Sequence, residues 1–260
     1  MGSKIIISLM LVSVALIPGC TESQLSNDDN TSQSLSAATT TCEIDSDCSE
    51  DYECLNEICV IKYYTVTPPF EEDFSTASNR QYFEGTIFSG NTTWVFEDGV
   101  AESELGGFLS RKVNATDYII EVDFNHAGDG GILVRGDGAT LDYYGSPSGM
   151  VFIYRPVITS YGVKLADGDA YWISYSPAMQ GSWGYDINPH TTISGTQGNV
   201  HLKIVVQGNT FTAYANSAEM ASYVDTAGTY SGEERKWIAL YYNSYGIEGQ
   251  SFDNLEIKPV

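Results

Sequence analysis

The chain has 260 residues, 42% apolar and 12% aromatic, enough to bury a full-sized core. Its 34 acidic and 12 basic residues leave a formal net charge of -22, which repels nucleic acid and anionic lipid and argues against both as partners. Cations, neutral sugars and basic surfaces remain compatible with that charge, as does solubility alone. With 25 glycines, 18 tyrosines and only 18% charged residues, the composition favours strands and turns over helices.

Residues 1–20 carry the features of an export signal. Lys4 is a short positive region, and the apolar run from Ile5 to Ile17 is too short to span a bilayer. Ile17-Pro18-Gly19-Cys20 resembles the bacterial lipobox, with Pro18 where a small residue is usual, and the resemblance implies lipidation of Cys20. Cysteine arithmetic agrees: of five cysteines, four lie together further on and Cys20 is the odd one out. Acyl chains, at about 0.8 kcal/mol per buried CH₂, would hold a soluble domain on a membrane through the anchor only. Thr21 follows, where an aspartate would resemble an inner-membrane retention signal. The expected location is therefore the bacterial outer membrane or cell surface.

Residues 21–41 are Ser, Thr, Asn and Asp with almost nothing to bury, the composition of a disordered tether. Residues 42–62 follow as a small module. Cys42, Cys48, Cys54 and Cys59 fall within 18 residues of an exported chain and predict two disulfides. Of three possible pairings, Cys42–Cys54 with Cys48–Cys59 is the one expected. A zinc site is the rival, but the C-x5-C-x5-C-x4-C spacing lacks chelating C-x2-C pairs and no histidine is near. The spacing resembles the Dickkopf-type cysteine-rich modules of bacterial surface lipoproteins. A knot this small cannot build a core, so a rigid spacer is expected, with a recognition module as the alternative.

From residue 63 to 260, strand-like runs recur between turn signals. Trp94 to Phe96 leads into Asp98-Gly99, and Val100 to Leu105 into Gly106-Gly107. Two period-two runs then flank an acidic-glycine turn, which predicts a central hairpin. Ile120, Val122 and Phe124 alternate with Ile119, Glu121 and Asp123; Ile132 and Val134 alternate with Leu133 and Arg135. Burying the apolar set would open Glu121, Asp123 and Arg135 onto one shared hollow. Met150 to Tyr154, Val163 to Leu165 and Ala170 to Tyr175 follow, with Asp167-Gly168-Asp169 as a turn between the last two. Val200, Leu202, Ile204 and Val206 alternate with His201, Lys203 and Val205. Gln207-Gly208-Asn209 turns the chain into Phe211 to Ala215, and Trp237 to Tyr242 and Phe252 to Ile257 close the domain. Roughly a dozen strands and no long amphipathic helix predict one all-β, two-sheet antiparallel sandwich.

The order of features, from Glu72-Asp73-Phe74-Ser75 through Asp117-Tyr-Ile-Ile-Glu-Val-Asp123 and Gly131-Ile-Leu-Val-Arg135 to Ser251-Phe-Asp-Asn-Leu-Glu-Ile257, resembles the concanavalin A-like lectin/glucanase superfamily. Laminin G-like and 3-keto-disaccharide-hydrolase-like domains of exported bacterial proteins look most similar. That resemblance implies a jelly-roll sandwich. In related family 16 glycosidases, alternate acids on one strand place two carboxyls about 5–5.5 Å apart. Here Glu121-Val-Asp123-Phe-Asn125 supplies two acids and then an amide, which cannot protonate a leaving oxygen. Binding without catalysis is therefore expected over a glycoside hydrolase; a protein-binding adhesin or envelope component is the other alternative. Sugar recognition needs rings for stacking and carboxylates, amides or guanidinium groups for hydroxyls. Glu121, Asp123, Arg135, Tyr144, Trp172, Trp183, Tyr185 and Tyr242 are the candidates for contact with a carbohydrate or surface glycan. Relatives of this shape often hold a structural calcium where first and last strands meet, which implies Glu72, Asp73 and Asp253 here; ordinary turn chemistry is the competing explanation.

Overall fold

The structure is a computed structural model. It describes residues 52–55, 58–61, 65–86, 94–104, 106–137, 148–160, 163–175, 186–193, 198–232, 235–243 and 249–260. Cys20, the tether, Cys42 and Cys48 lie outside the described residues, as do Tyr144, Trp183 and Tyr185. Of the small module, β1 (Tyr52–Leu55) and β2 (Ile58–Ile61) are described as an antiparallel pair with Cys54 opposite Cys59 in the backbone register.

The large domain is a sandwich of two antiparallel sheets. One sheet has seven strands in the order β12 (Asp186–Ile193), β11 (Val163–Tyr175), β10 (Ser148–Ser160), β9 (Gly130–Asp137), β16 (Trp237–Asn243), β7 (Gly106–Lys112) and β4 (Glu84–Thr86). The other has eight. Its order is β15 (Ala218–Val224), β14 (Thr210–Ala215), β13 (Gly198–Gln207), β8 (Tyr118–Ala127), β17 (Ser251–Lys258), β6 (Val100–Glu102) and β5 (Val95–Glu97), with β3 (Phe70–Glu72) also on β17. A short 3-10 helix, Ala77–Tyr82, follows β3.

The eight-stranded sheet is built by period-two alternation. Tyr118, Ile120, Val122 and Phe124 of β8 point inward, and Val200, Leu202, Ile204 and Val206 of β13 lie opposite as Phe124↔Val200, Val122↔Leu202 and Ile120↔Ile204. β17 reaches the same face only because its register slips between Asp253 and Glu256, where Asn254 takes a φ of +50°. The extra residue resets the alternation, so Phe252, Leu255 and Ile257 all point inward.

The central strands of the seven-stranded sheet, β9, β10, β11 and β16, are buried on both faces over the runs GGILV, MVFIY, AYWIS and WIALYY, which is why those runs are near-continuously apolar. Its inner face gives Leu109, Ile132, Val134, Met150, Phe152, Trp172, Ile238, Leu240 and Tyr242 to the main core. Its outer face carries a second cluster of Phe108, Leu133, Val151, Ile153, Tyr171, Ile173, Ala239 and Tyr241.

β8 and β9 are not a hairpin. They lie in different sheets, and Gly128-Asp129 carries the chain from one to the other. Gln250, itself buried, clamps this crossing. Its Oε1 accepts from the backbone N–H groups of Gly128 (2.9 Å) and Asp129 (3.0 Å), and its Nε2 donates to the Asn243 carbonyl (2.8 Å).

Where the sheets meet, Phe124 packs near-parallel to Phe252 (4.7 Å), and Tyr242 lies edge-on to Trp94 (5.1 Å). The Tyr242 hydroxyl accepts from the Ser103 N–H (2.5 Å) and donates to the Ser103 carbonyl (2.6 Å), fastening the β6–β7 connection to β16. Tyr242→Phe keeps the ring and strands two buried backbone groups, an expected loss of about 2 kcal/mol. Urea denaturation checks it; an unchanged midpoint would show that water replaces both bonds.

Candidate functional site

The described candidates for ligand contact are divided among three places. Glu121 and Asp123 do share a face, the outer side of the eight-stranded sheet. Glu121 is held in a ladder of ion pairs with Lys258 and with Lys203 (3.4 Å), and Lys258 also pairs with Glu256. The hydrogen bond from Lys258 is the main reason the Glu121 carboxyl sits below its ordinary pKa. Asp123 accepts from Asn254 Nδ2 (3.0 Å) and lies 2.8 Å from His201 Nδ1. His201 and Asp123 are both close to half exposed, so this is a solvated sheet face with its charges paired.

Arg135 is elsewhere. Bulges displace it from both neighbouring pairings of β9, and its φ of +52° turns the chain there. The buried guanidinium reaches the opposite sheet, donating to the Gly208 carbonyl (3.2 Å) and pairing with Asp117 (3.5 Å). The expectation that Arg135 opens beside Glu121 and Asp123 does not hold. Arg135 ties the two sheets together.

Trp172 and Tyr242 are core residues, each 1% exposed, and the Trp172 Nε1–H donates to the Ala221 carbonyl (3.4 Å). Neither offers a ring to a ligand. The expected metal residues are also spread over separate tasks. Glu72 is buried and accepts from the Phe74 N–H and from Asn79 Nδ2, while Asp73 accepts from the Ser75 N–H and hydroxyl. Asp253 faces Asp123 across the β17–β8 ladder; burial first, then the charges of Asp123 and Asp73, push its carboxyl up. Among the described residues no group of three or more His, Cys, Asp or Glu side chains gathers as a metal site.

A different set converges on the outer face of the seven-stranded sheet. Asp169 lies opposite Arg155 in the β10–β11 ladder, and Thr192 lies opposite Asp169 in β12. On the other side of Arg155, the β9–β10 register ends at Gly130↔Tyr154, so Asp129 continues the row next to Arg155. The β9–β16 register ends at Tyr242↔Gly130, and the Asn243 N–H donates to the Asp129 carbonyl (2.8 Å). Opposed residues of a sheet share a face, so Thr192, Asp169, Arg155, Asp129 and Asn243 form one polar row crossing five strands. One step inward lies the apolar row of Tyr171, Ile153, Gly131, Tyr241 and Phe108.

Arg155 grips one oxygen of Asp169 through Nε (3.1 Å) and Nη2 (2.9 Å). The other oxygen lies 3.3 Å from His190 Nδ1. The His190 ring stacks flat on Tyr171, with centroids 4.3 Å apart and planes within 3°, and the Arg155 guanidinium lies 5.9 Å from the same ring. Burial pushes the Asp129 carboxyl up to about 6; Arg155 opposes the rise and Asp169 adds to it. The apolar row is closed to solvent, whereas the side chains of Arg155, Asp169 and His190 are 28%, 20% and 30% exposed. The accessible part of this face is therefore its polar rim.

No protein-family model matches the chain, and no curated protein matches it. Among solved structures, a protein of unknown function with a galectin-like fold from Bacillus subtilis aligns at 10% identity over 73% of this chain and 94% of its own, with a TM-score of 0.47. A carbohydrate-binding module from Bacillus subtilis aligns at 12% identity over 75% and 98%, with a TM-score of 0.39. A galectin from Caenorhabditis elegans aligns at 12% identity over 57% and 89%, with a TM-score of 0.37.

Proposed function

We propose that this chain is a surface lipoprotein, anchored through Cys20, whose sandwich binds carbohydrate or a surface glycan at the polar rim of the seven-stranded sheet. The observation that carries the site is the part-exposed cluster of Arg155, Asp169 and His190, continued by Asp129 along one row. A guanidinium donates in a fixed fork, a carboxylate accepts from two hydroxyls, and imidazole does either, so the row matches the alternating donors and acceptors of a sugar edge. The anchor rests on the run from Ile5 to Ile17 and on the odd cysteine, and it would hold the rim at a cell surface.

A printed array of neutral oligosaccharides tests this function, with Arg155→Ala and Glu121→Ala proteins alongside. Removing Arg155 strips the row of its cation and leaves Asp169 uncompensated, so affinity is expected to fall at least tenfold, about 1.4 kcal/mol. Glu121→Ala alters only the solvated face of the other sheet and should leave binding unchanged. The reverse pattern would move the site to the eight-stranded sheet. An array blank for every glycan, beside a successful pull-down from surface extract, would replace a glycan by a protein partner. A binding function also predicts that no bound oligosaccharide is cleaved; release of reducing ends would make the rim a hydrolase site.

A further inference from the structure

We propose, building on that carbohydrate function, that the rim selects uncharged, hydroxyl-rich glycans over those bearing a carboxylate, and that Asp129 is the residue that enforces the choice. The row has two carboxylates, Asp129 and Asp169, around one guanidinium, Arg155. Both bonds that Arg155 makes to Asp169 fall on a single oxygen, so that pair is already matched charge for charge. Asp129 is the unmatched charge. A glycan carboxylate brought to this rim would meet it in a half-buried setting where water screens poorly, whereas a neutral hydroxyl can donate to it. The Gln250 clamp on the Gly128 and Asp129 backbone fixes where that charge stands.

The charges that act on Asp129 are Arg155 on β10 and Asp169 on β11. Asn243 on β16 bonds its backbone, His190 on β12 and Tyr171 on β11 lie beyond Asp169, and His126 stands three residues earlier on β8. Arg155 is the fixed positive charge among them. The overall charge of -22 disfavours anionic ligands everywhere on the surface, so raw preference for neutral sugars does not isolate the rim. The change on neutralising one carboxylate does.

The test uses the array of neutral oligosaccharides (lactose and cello-, manno- and galacto-oligosaccharides), each printed beside its C6-carboxylate counterpart. The wild-type, Asp129→Asn and Arg155→Ala proteins are compared at pH 7.5 and pH 5. For each neutral glycan bound at pH 7.5, Asp129→Asn is expected to raise affinity for the carboxylate counterpart at least tenfold relative to the neutral form. Wild-type discrimination should relax in the same direction at pH 5, where Asp129, at about 6, has taken up its proton and a sugar carboxylate stays ionised. The ratio in Asp129→Asn should move less between the two pH values than it does in the wild type, and the difference between the two proteins is the part that Asp129 carries. Neutral binding that depends on Arg155, with a discrimination ratio unmoved by the substitution and by pH, overturns the selection rule and leaves the carbohydrate site standing. Arrays blank for all three proteins overturn both.

Discussion

Alanine in place of Gly131 is expected to cost the sandwich more than about 4 kcal/mol, enough to leave much of the protein unfolded at ordinary temperature. A Cβ at this position would stand 1.8 Å from the Phe152 carbonyl oxygen, 2.9 Å from its carbon and 3.4 Å from Ile153 Cα. These are backbone atoms of the adjacent strand and cannot rotate aside. Relief requires β9 and β10 to part, which breaks the ladder at Ile132↔Phe152 and Leu133↔Val151 and opens both apolar clusters. Gly208 supplies the comparison. Its φ is +54° but nothing lies within 4 Å of a Cβ there, so Gly208→Ala carries only the left-handed backbone penalty of about 1 kcal/mol. Urea titrations of the two variants, followed by far-UV circular dichroism, separate steric from conformational cost. A Gly131→Ala midpoint no lower than that of Gly208→Ala would mean that the strands yield at this point.

The two sheets differ in what their strands disclose. One exposed face makes β8 and β13 alternate, and that alternation is visible without knowing any partner strand: Ile120, Val122, Phe124, Leu202 and Ile204 are all inward as expected. Two buried faces make β9, β10, β11 and β16 read as continuous apolar runs, which fixes neither register nor which residues share a face. The contrast between alternating β8 and uniformly apolar β9 was itself the sign that they belong to different sheets, since neighbours in one sheet meet the same two environments. Taking them as a hairpin joined Arg135 to Glu121 and Asp123. A bulge and a positive φ at Arg135 leave no mark in the apolar pattern, so the sequence carries no sign of its turn toward Gly208.

The rim escaped for a related reason. Met150 to Tyr154 stops one residue short of Arg155, and Asp167-Gly168-Asp169 has the composition of a turn. In the structure β10 runs to Ser160 and β11 starts at Val163, so both charged residues lie inside long strands and face each other. A readable clue was their near-equal distance from the Tyr161-Gly162 connection: Arg155 is five residues before the end of β10, and Asp169 six after the start of β11. His190 had no such clue. Its stacking on Tyr171 depends on an irregular register between β11 and β12.

Asp129→Asn is expected to stabilise the protein at pH 7.5 by about 2–3 kcal/mol, against the usual direction of a substitution at a part-buried polar site. The carboxyl is raised from 3.8 to about 6, mainly by burial, so the folded state binds this proton more tightly than the unfolded chain does. Well below pH 3.8 both states are protonated and Asp129 contributes nothing to the difference. Between pH 3.8 and 6 the unfolded chain releases its proton while the folded chain keeps it, so stability falls as pH rises. Above pH 6 the folded protein holds a desolvated carboxylate, and the full cost of about 3 kcal/mol remains. Asparagine has the shape of the protonated acid and no such slope. Its advantage should therefore be largest at pH 7.5 and shrink below about 1 kcal/mol at pH 4, measured by urea denaturation at both values. An equal effect at the two pH values, or a loss at both, would show that Asp129 is well solvated or that Arg155 compensates it in full. A gain confined to high pH would identify a carboxylate that the fold keeps ionised at its own expense, as expected of a residue retained for what it binds.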